Sequence, residues 1–456
     1  MNEDRGKKRK RRRAGRRWMK FFLLLVILLL ILKYCGVTEK IEEKVAQNDV
    51  VKQIEEAFWD SELIKKLQNE WSEIRHTENW KKGKFGFGLL EKLRYELRGD
   101  SLETWEQEAL DEGLSAKAEE YYYKYLPEHQ KEAYRELYVK LMRNEDSGNL
   151  MASVTVDEFW KTYYAVLADH PEIFWTGPSA QVEESGLTGK VIAYHIEVTI
   201  PVEERESVKA KLEAEADACI AQIPEEYSDY QKIKAVYTYI IDRTEYQSGS
   251  LDSQNIQSVL LYRASVCAGY AKTFQYILNR MGFFCTYITG TIRDGGEHGW
   301  NLVRMDDDYY HVDVTWGDPV FVNHVQTESN KQSINYTYLC CTDDTLFVTH
   351  VPDDAVPLPE CSSDVYDYYK LNGWYYEIFD YWVLYEALMN SVRSGNQMAE
   401  MKFGSREAYD NAVFELFEGN LLKDAGKYLM NLNGVNSWNY KYQTDEELYT
   451  IVLYWY

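Results

Sequence analysis

The sequence predicts an α+β fold, with a helix carrying a cysteine packed on an antiparallel sheet, an N-terminal helical region and a small C-terminal α+β module. After Cys267, the apolar residues Tyr270, Phe274, Ile277, Leu278 and Met281 recur at helical spacing, and Gly282 supplies the stop. Three runs rich in aromatic and β-branched residues then follow at 284–292, 298–305 and 309–315, separated by the turns Asp294-Gly295-Gly296 and Asp306-Asp307-Asp308. On either side lie charged helical periodicity from 38 to 180 and a Tyr-rich stretch from 362 to 456.

Taken in order, residues 1–17 form a basic segment. Residues 1–20 carry eleven Lys or Arg against Glu3 and Asp4, a net of +9, so a total of −23 leaves the rest at −32. A body of that charge repels nucleic acid, which is excluded as a partner. Residues 21–32 are twelve apolar residues without a break. As a helix they span about 18 Å against roughly 30 Å of hydrocarbon, but extension to 18–37, with Lys20 and Lys33 reaching outward, gives about 30 Å. After this run Lys33-Tyr34-Cys35 offers neither a small-x-small cleavage site nor a lipid-attachment cysteine. The expectation is a signal anchor at 18–37 with residues 1–17 in the cytoplasm and the body outside the cell. The alternative is secretion after signal-peptide cleavage.

Residues 38–180 read as a helical extracytoplasmic region in which Tyr121-Tyr122-Tyr123 is the face of a helix on a core. A strand at 191–200, helices at 203–223 and 228–243, and the cysteine helix with its strands make up a catalytic domain at 181–350, including a strand at 336–341. Pro352, Pro357 and Pro359 mark a linker at 351–361. The module at 362–456 has helices at 381–393 and 406–416 and a last strand at 448–456. Its tyrosines read mainly as aromatic packing. No Gly-rich phosphate loop, no paired histidines on one helix and no calcium-loop pattern occurs, so no cofactor is implied. The seven cysteines at 35, 219, 267, 285, 340, 341 and 361 follow no metal-ligand spacing, so no metal is implied either. In an oxidising compartment Cys361 is a candidate to bridge to Cys340 or Cys341; buried free thiols are the equal alternative.

The candidate chemistry sits in three short elements. Cys267, in Ser-Val-Cys-Ala-Gly-Tyr-Ala, falls at a helix N-terminus, where the macrodipole and unpaired N–H groups favour a thiolate and suit an oxyanion. His298 opens the strand His-Gly-Trp-Asn. If Asp306-Asp307 is a two-residue hairpin loop, paired positions add to 613, so His298 faces Thr315 and Asp313 is its diagonal neighbour on the same face. A thiol, an imidazole and a carboxylate so placed have the parts of a Cys-His-Asp acyl-transfer site.

Cys-Ala-Gly-Tyr-Ala, His-Gly-Trp-Asn and Val-Asp-Val-Thr-Trp-Gly-Asp-Pro, in that order, resemble the transglutaminase-like superfamily, within the papain-like thiol-enzyme fold. The resemblance covers about 240–318 and departs at Gly299, where Ala is usual. It implies Cys267 as nucleophile, His298 as base and Asp313 as its orienter, and, since related thiol enzymes often place a side-chain oxyanion donor just upstream of the cysteine, Gln254, Asn255 or Gln257 as candidates for that role. Asp169-His170-Pro171-Glu172-Ile173-Phe174-Trp175 also resembles a segment upstream of the cysteine in bacterial members, with His170 read as structural. The function expected is an exported, membrane-anchored thiol enzyme that acts on a protein or peptide substrate at the cell envelope, with hydrolysis favoured over crosslinking. The alternative is a catalytically inactive envelope module that binds a protein or glycan.

Overall fold

The structure, a computed structural model, describes residues 107, 109–110, 114, 120–185, 188–293, 295–318, 334–396, 398–434 and 436–455. The expected basic segment 1–17, the expected anchor 18–37 and Cys35 lie outside the described residues, as does nearly all of 38–119. Among the described residues no helix is long and apolar enough to cross a membrane.

Helices α1 (Tyr121–Tyr125) and α2 (Glu128–Met142) lead through β1 (Ser147–Asn149) to α3 (Val156–Asp169). Helix α3 starts at a capping box, in which Thr155 accepts from the N–H of Glu158 and Glu158 reaches back to the N–H of Thr155. Strands β2 (Thr176–Glu184) and β3 (Val191–Val198) complete a three-stranded antiparallel sheet of order β1-β3-β2. Next come α4 (Val202–Ile220) and α5 (Asp229–Arg243), the latter opened by a box between Ser228 and Gln231.

The site-bearing part follows. Short β4 (Glu245–Tyr246) pairs in parallel with β5 (Ala264–Ser265), with α6 (Ile256–Leu260) between them. Then come α7 (Cys267–Arg280), β6 (Cys285–Ile292), β7 (Glu297–Met305), β8 (Asp308–Val312), α8 (Val314–Gly317), β9 (Leu339–Cys341), α9 (Asp343–Leu346) and β10 (His350–Pro352). The five strands form one antiparallel sheet of order β10-β6-β7-β8-β9, and α7 packs on β6 and β7. Central β7 is buried at every position except its first residue and Arg304, as expected of a strand covered on both faces. Phe274, Ile277 and Leu278 of α7 are fully buried, each contributing about 1.5–3 kcal/mol of apolar burial.

Residues on both sides of the expected boundary at 180–181 share this core, which runs from Tyr121 to Cys361 and adds Leu448. Within the expected linker, Val351 and Pro352 belong to β10, and Val356 and Cys361 are buried in the same core. Proline tolerates a strand edge, because no ladder N–H is asked of it there. The C-terminal residues form α10 (Tyr368–Leu371), β11 (Tyr375–Tyr376), α11 (Tyr381–Arg393), β12 (Met398–Phe403), α12 (Arg406–Val413), a π-turn at Phe414–Glu418, α13 (Leu421–Asn433), β13 (Tyr440–Asp445) and β14 (Thr450–Trp455). These strands make a four-stranded sheet, β11-β12-β14-β13, over a second core that includes Leu388, Met401, Phe403, Ile451 and Leu453.

Candidate active site

Cys267 is the first residue of α7 and is partly exposed, whereas Cys219, Cys285, Cys340, Cys341 and Cys361 are buried and unbridged. Val266 before it is extended and offers no capping side chain, and the first turn holds no acid. The first-turn N–H groups are therefore not taken up by a cap, and they lie beside the thiol with the positive end of the dipole. Gly269 lets this turn approach its support: a Cβ there would stand 2.0 Å from Ser265 Oγ and 2.5 Å from Ser258 Oγ. Those two hydroxyls are 2.7 Å apart and buried. Tyr270 anchors the next position by donating to Asp318 Oδ2 at 2.8 Å, which joins the cysteine motif to the aspartate motif.

His298 lies on β7 opposite Gly290 of β6. Alternation puts His298 and Trp300 on one face and Asn301 on the other, where its Nδ2 donates to Ala271 O of α7 at 2.9 Å. The hairpin register is the expected one, from Met305 with Asp308 to Asn301 with Val312. Beyond Val312 the chain leaves the ladder, so His298 and Thr315 do not pair. Asp313 instead becomes the N-cap of α8, with Oδ1 accepting from the N–H of Thr315 at 2.9 Å and of Trp316 at 3.1 Å. Its Oδ2 lies 2.7 Å from His298 Nε2. The remaining ring nitrogen of His298 is Nδ1, and the Cys267 side chain is near enough to the ring to help raise its pKa. The structure thus brings the three residues singled out in the sequence to one site, with His298 and Asp313 in direct contact.

Electrostatics follow from that contact. Burial alone would lower the pKa of His298, but the Asp313 carboxylate and the Cys267 side chain carry it up to about 10. Burial would likewise raise Asp313, yet His298 and His350 hold it well below the usual carboxylate range. The site is built for an imidazolium facing a sulfur, over a carboxylate that stays ionised.

His350 is the residue that the sequence reading missed. Its Nε2 lies 2.9 Å from the same Asp313 Oδ2, and it is 1% exposed. The available signal was a histidine flanked by Thr349 and Val351, a strand-like triplet overshadowed by Pro352. The upstream oxyanion candidates fare unevenly. Asn255 caps α6, and Gln257 is buried with its amide on Phe174 O at 3.2 Å. Gln254 remains exposed at the surface.

Other expectations also find their places. Tyr121 and Tyr122 are core residues, and Tyr122 donates to Tyr287 O at 2.9 Å. His170 is buried, stacked on Tyr138 at 4.1 Å and paired with Glu172 at 2.9 Å, a structural role. Two groups bring metal-type donor atoms together, His298-Asp313-His350 and His311-Asp343-Cys361. In the first, all of the contacts are the hydrogen bonds just described. In the second, Trp300 Nε1–H donates to His311 Nδ1 at 3.2 Å, so the proton of His311 sits on Nε2 and goes to Asp343 at 2.8 Å. That nitrogen has no lone pair for an ion.

The model of the transglutaminase-like superfamily matches residues 218–314, which contain Cys267, His298 and Asp313. Kyphoscoliosis peptidase from Mus musculus is 25% identical over 150 residues, and the Homo sapiens protein is 24% identical over 150 residues. Each match takes in 29% of this chain and 22% of the relative, so the chain spans about a fifth of the length of these curated relatives. A crystal structure of a TGase aligns over 35% of this chain and 48% of its own, with 15% identity and a TM-score of 0.23. Residues 218–314 are a domain of the transglutaminase-like superfamily, and Cys267, His298 and Asp313 lie within it.

Proposed function

We propose that this protein is a thiol enzyme that acts on peptide or amide bonds through Cys267, His298 and Asp313. The observation that carries the reading is His298 bonded to Asp313 Oδ2 at 2.7 Å with the Cys267 side chain near its ring. The Cys267 thiolate attacks the amide carbonyl carbon, forming a C–S bond and an oxyanion beside the first-turn N–H groups of α7. Collapse breaks the C–N bond, and the His298 imidazolium gives its proton to the leaving amine. Water then attacks the thioester, His298 accepts its proton, and the thiolate leaves. Hydrolysis is favoured over transfer to an amine, in keeping with the peptidase names of the curated relatives.

The substrate is a protein or peptide of the cell envelope. This part of the reading rests on the basic stub and the apolar run at 18–37, which anchor the body outside the cell. The test incubates the protein and its Cys267→Ala variant with a peptide library and a labelled amine, followed by mass spectrometry. Cleaved or deamidated peptides with the parent protein and none with the variant are expected. Label incorporation without cleavage would reverse the preference for water, and equal products from both proteins would reject the mechanism.

A further inference from the structure

We propose that His350 is a positioning residue of the thiol site, fixing Asp313 Oδ2 in line with His298 through its Nε2–H. The inference rests on the reading of Cys267 as nucleophile. A carboxylate only accepts, so the His350 nitrogen 2.9 Å from Oδ2 carries the proton. Its Nδ1 lies 2.8 Å from Thr349 Oγ1 and 3.3 Å from Leu346 O, and the Thr349 hydroxyl, which also reaches Leu346 O at 3.4 Å, makes its shorter contact with Nδ1. Tyr338 Oη lies 3.2 Å from Thr349 Oγ1 and completes the run. Hydroxyl, hydroxyl, imidazole and carboxylate therefore form one run of contacts that ends on His298.

This run does what the two backbone N–H bonds cannot. Those bonds hold Oδ1, so the carboxylate can still swing about that oxygen. His350 closes on Oδ2 from β10, while His298 closes on it from β7. Their rings stand 5.1 Å apart, and His350 also packs on Trp300 at 5.3 Å and Trp316 at 5.0 Å. An N–H donor in this position leaves the contact between Asp313 and His298 intact and removes the freedom to lose its alignment.

The prediction can be read through the pH dependence of alkylation at Cys267. The titratable side chains facing this run from neighbouring elements are Tyr237, Tyr246, Tyr287, Tyr338, Cys341 and His311. Burial raises the first five, so none of them supplies the acid limb, and burial lowers His311. Lys272, lowered by burial to about 8, lies over the Tyr287 ring and titrates alike in parent and variant.

The experiment measures the rate of iodoacetamide alkylation of Cys267 from pH 5 to 9, by peptide mass spectrometry, in the parent protein, His350→Phe and His350→Gln. In His350→Phe the acid limb should move up by about one pH unit, with alkylation at pH 6 slowed about ten-fold, because an Asp313 that has lost its alignment supports the imidazolium beside Cys267 less well. His350→Gln, whose amide reaches the Nε2 position, should restore the limb to within about 0.3 unit. Thr349→Val, near-isosteric but without the hydroxyl, should move the limb in the same direction, and it decides the matter if His350→Phe does not fold. A limb that is unmoved or moved down in a folded His350→Phe or Thr349→Val would overturn the inference. Parent protein alkylated at pH 6 no faster than free cysteine would instead reject the nucleophile reading, separating the two failures.

Discussion

Asp313 accepts four hydrogen bonds, two from backbone N–H groups and two from imidazoles, and this count explains why a fully buried carboxylate stays ionised. Glu400 is the opposite case. It is 4% exposed and accepts from Tyr368 Oη at 3.0 Å, and burial pushes its pKa up to about 7 against the partial offset of Tyr368 and Lys234. A carboxyl that ionises near 4.5 when unfolded and near 7 when folded holds its proton more tightly in the native state. Stability therefore falls as pH rises between those values and is level above them. Glu400→Gln keeps an acceptor for Tyr368 and removes the charge. It should raise stability at pH 8 by about 1–3 kcal/mol and leave it nearly unchanged at pH 4, measured by urea denaturation at both values. A gain at pH 4 as large as that at pH 8 would reject the assignment. At this scale Cys267, His298 and Asp313 were legible because each lies in a short motif with its own local context. His350 was not, because its contact with Asp313 spans 37 residues and depends on where β10 docks.

Between elements, the hairpin turn set the register of β7 and β8 correctly, because a two-residue loop leaves little choice of pairing. What the alternation rule missed is the end of β8. Asp313 is a strong N-cap, so the chain turns into α8 there and reaches His298 from a helix start and not from a strand. Gly299, the departure from the family pattern, also has an explanation between elements. A Cβ at 299 would stand 2.4 Å from Tyr287 Oη and 2.5 Å from its Cε2, so the ring on β6 occupies the room that a methyl would need. Gly299→Ala should cost about 1–3 kcal/mol in thermal or chemical denaturation, as overpacking does. In a Tyr287→Ala background the same change should cost far less, a non-additivity expected of touching side chains. Equal costs in both backgrounds would show that the two do not compete for space.

Across the whole molecule, composition and periodicity conveyed an α+β chain with a Tyr-rich C-terminal module, and the helix at 381–393 is found as expected. They did not convey that residues before and after 180 share a core, since core membership depends on long-range packing that no local window contains. The C-terminal module keeps its own core yet touches the first through side chains: Tyr368 stacks on Tyr336 at 4.4 Å, and Lys234 of α5 lies 4.8 Å from the Tyr368 ring. All of this scaffold is read here as support for one bond, a thioester on Cys267. The most direct measurement is an acid quench of the protein during turnover of a peptide identified from the library, followed by mapping of the adduct by mass spectrometry. The account predicts an acyl group on Cys267 that hydroxylamine removes and that Cys267→Ala abolishes. Substrate consumed with no adduct on Cys267, or with the acyl group on another residue, would contradict it.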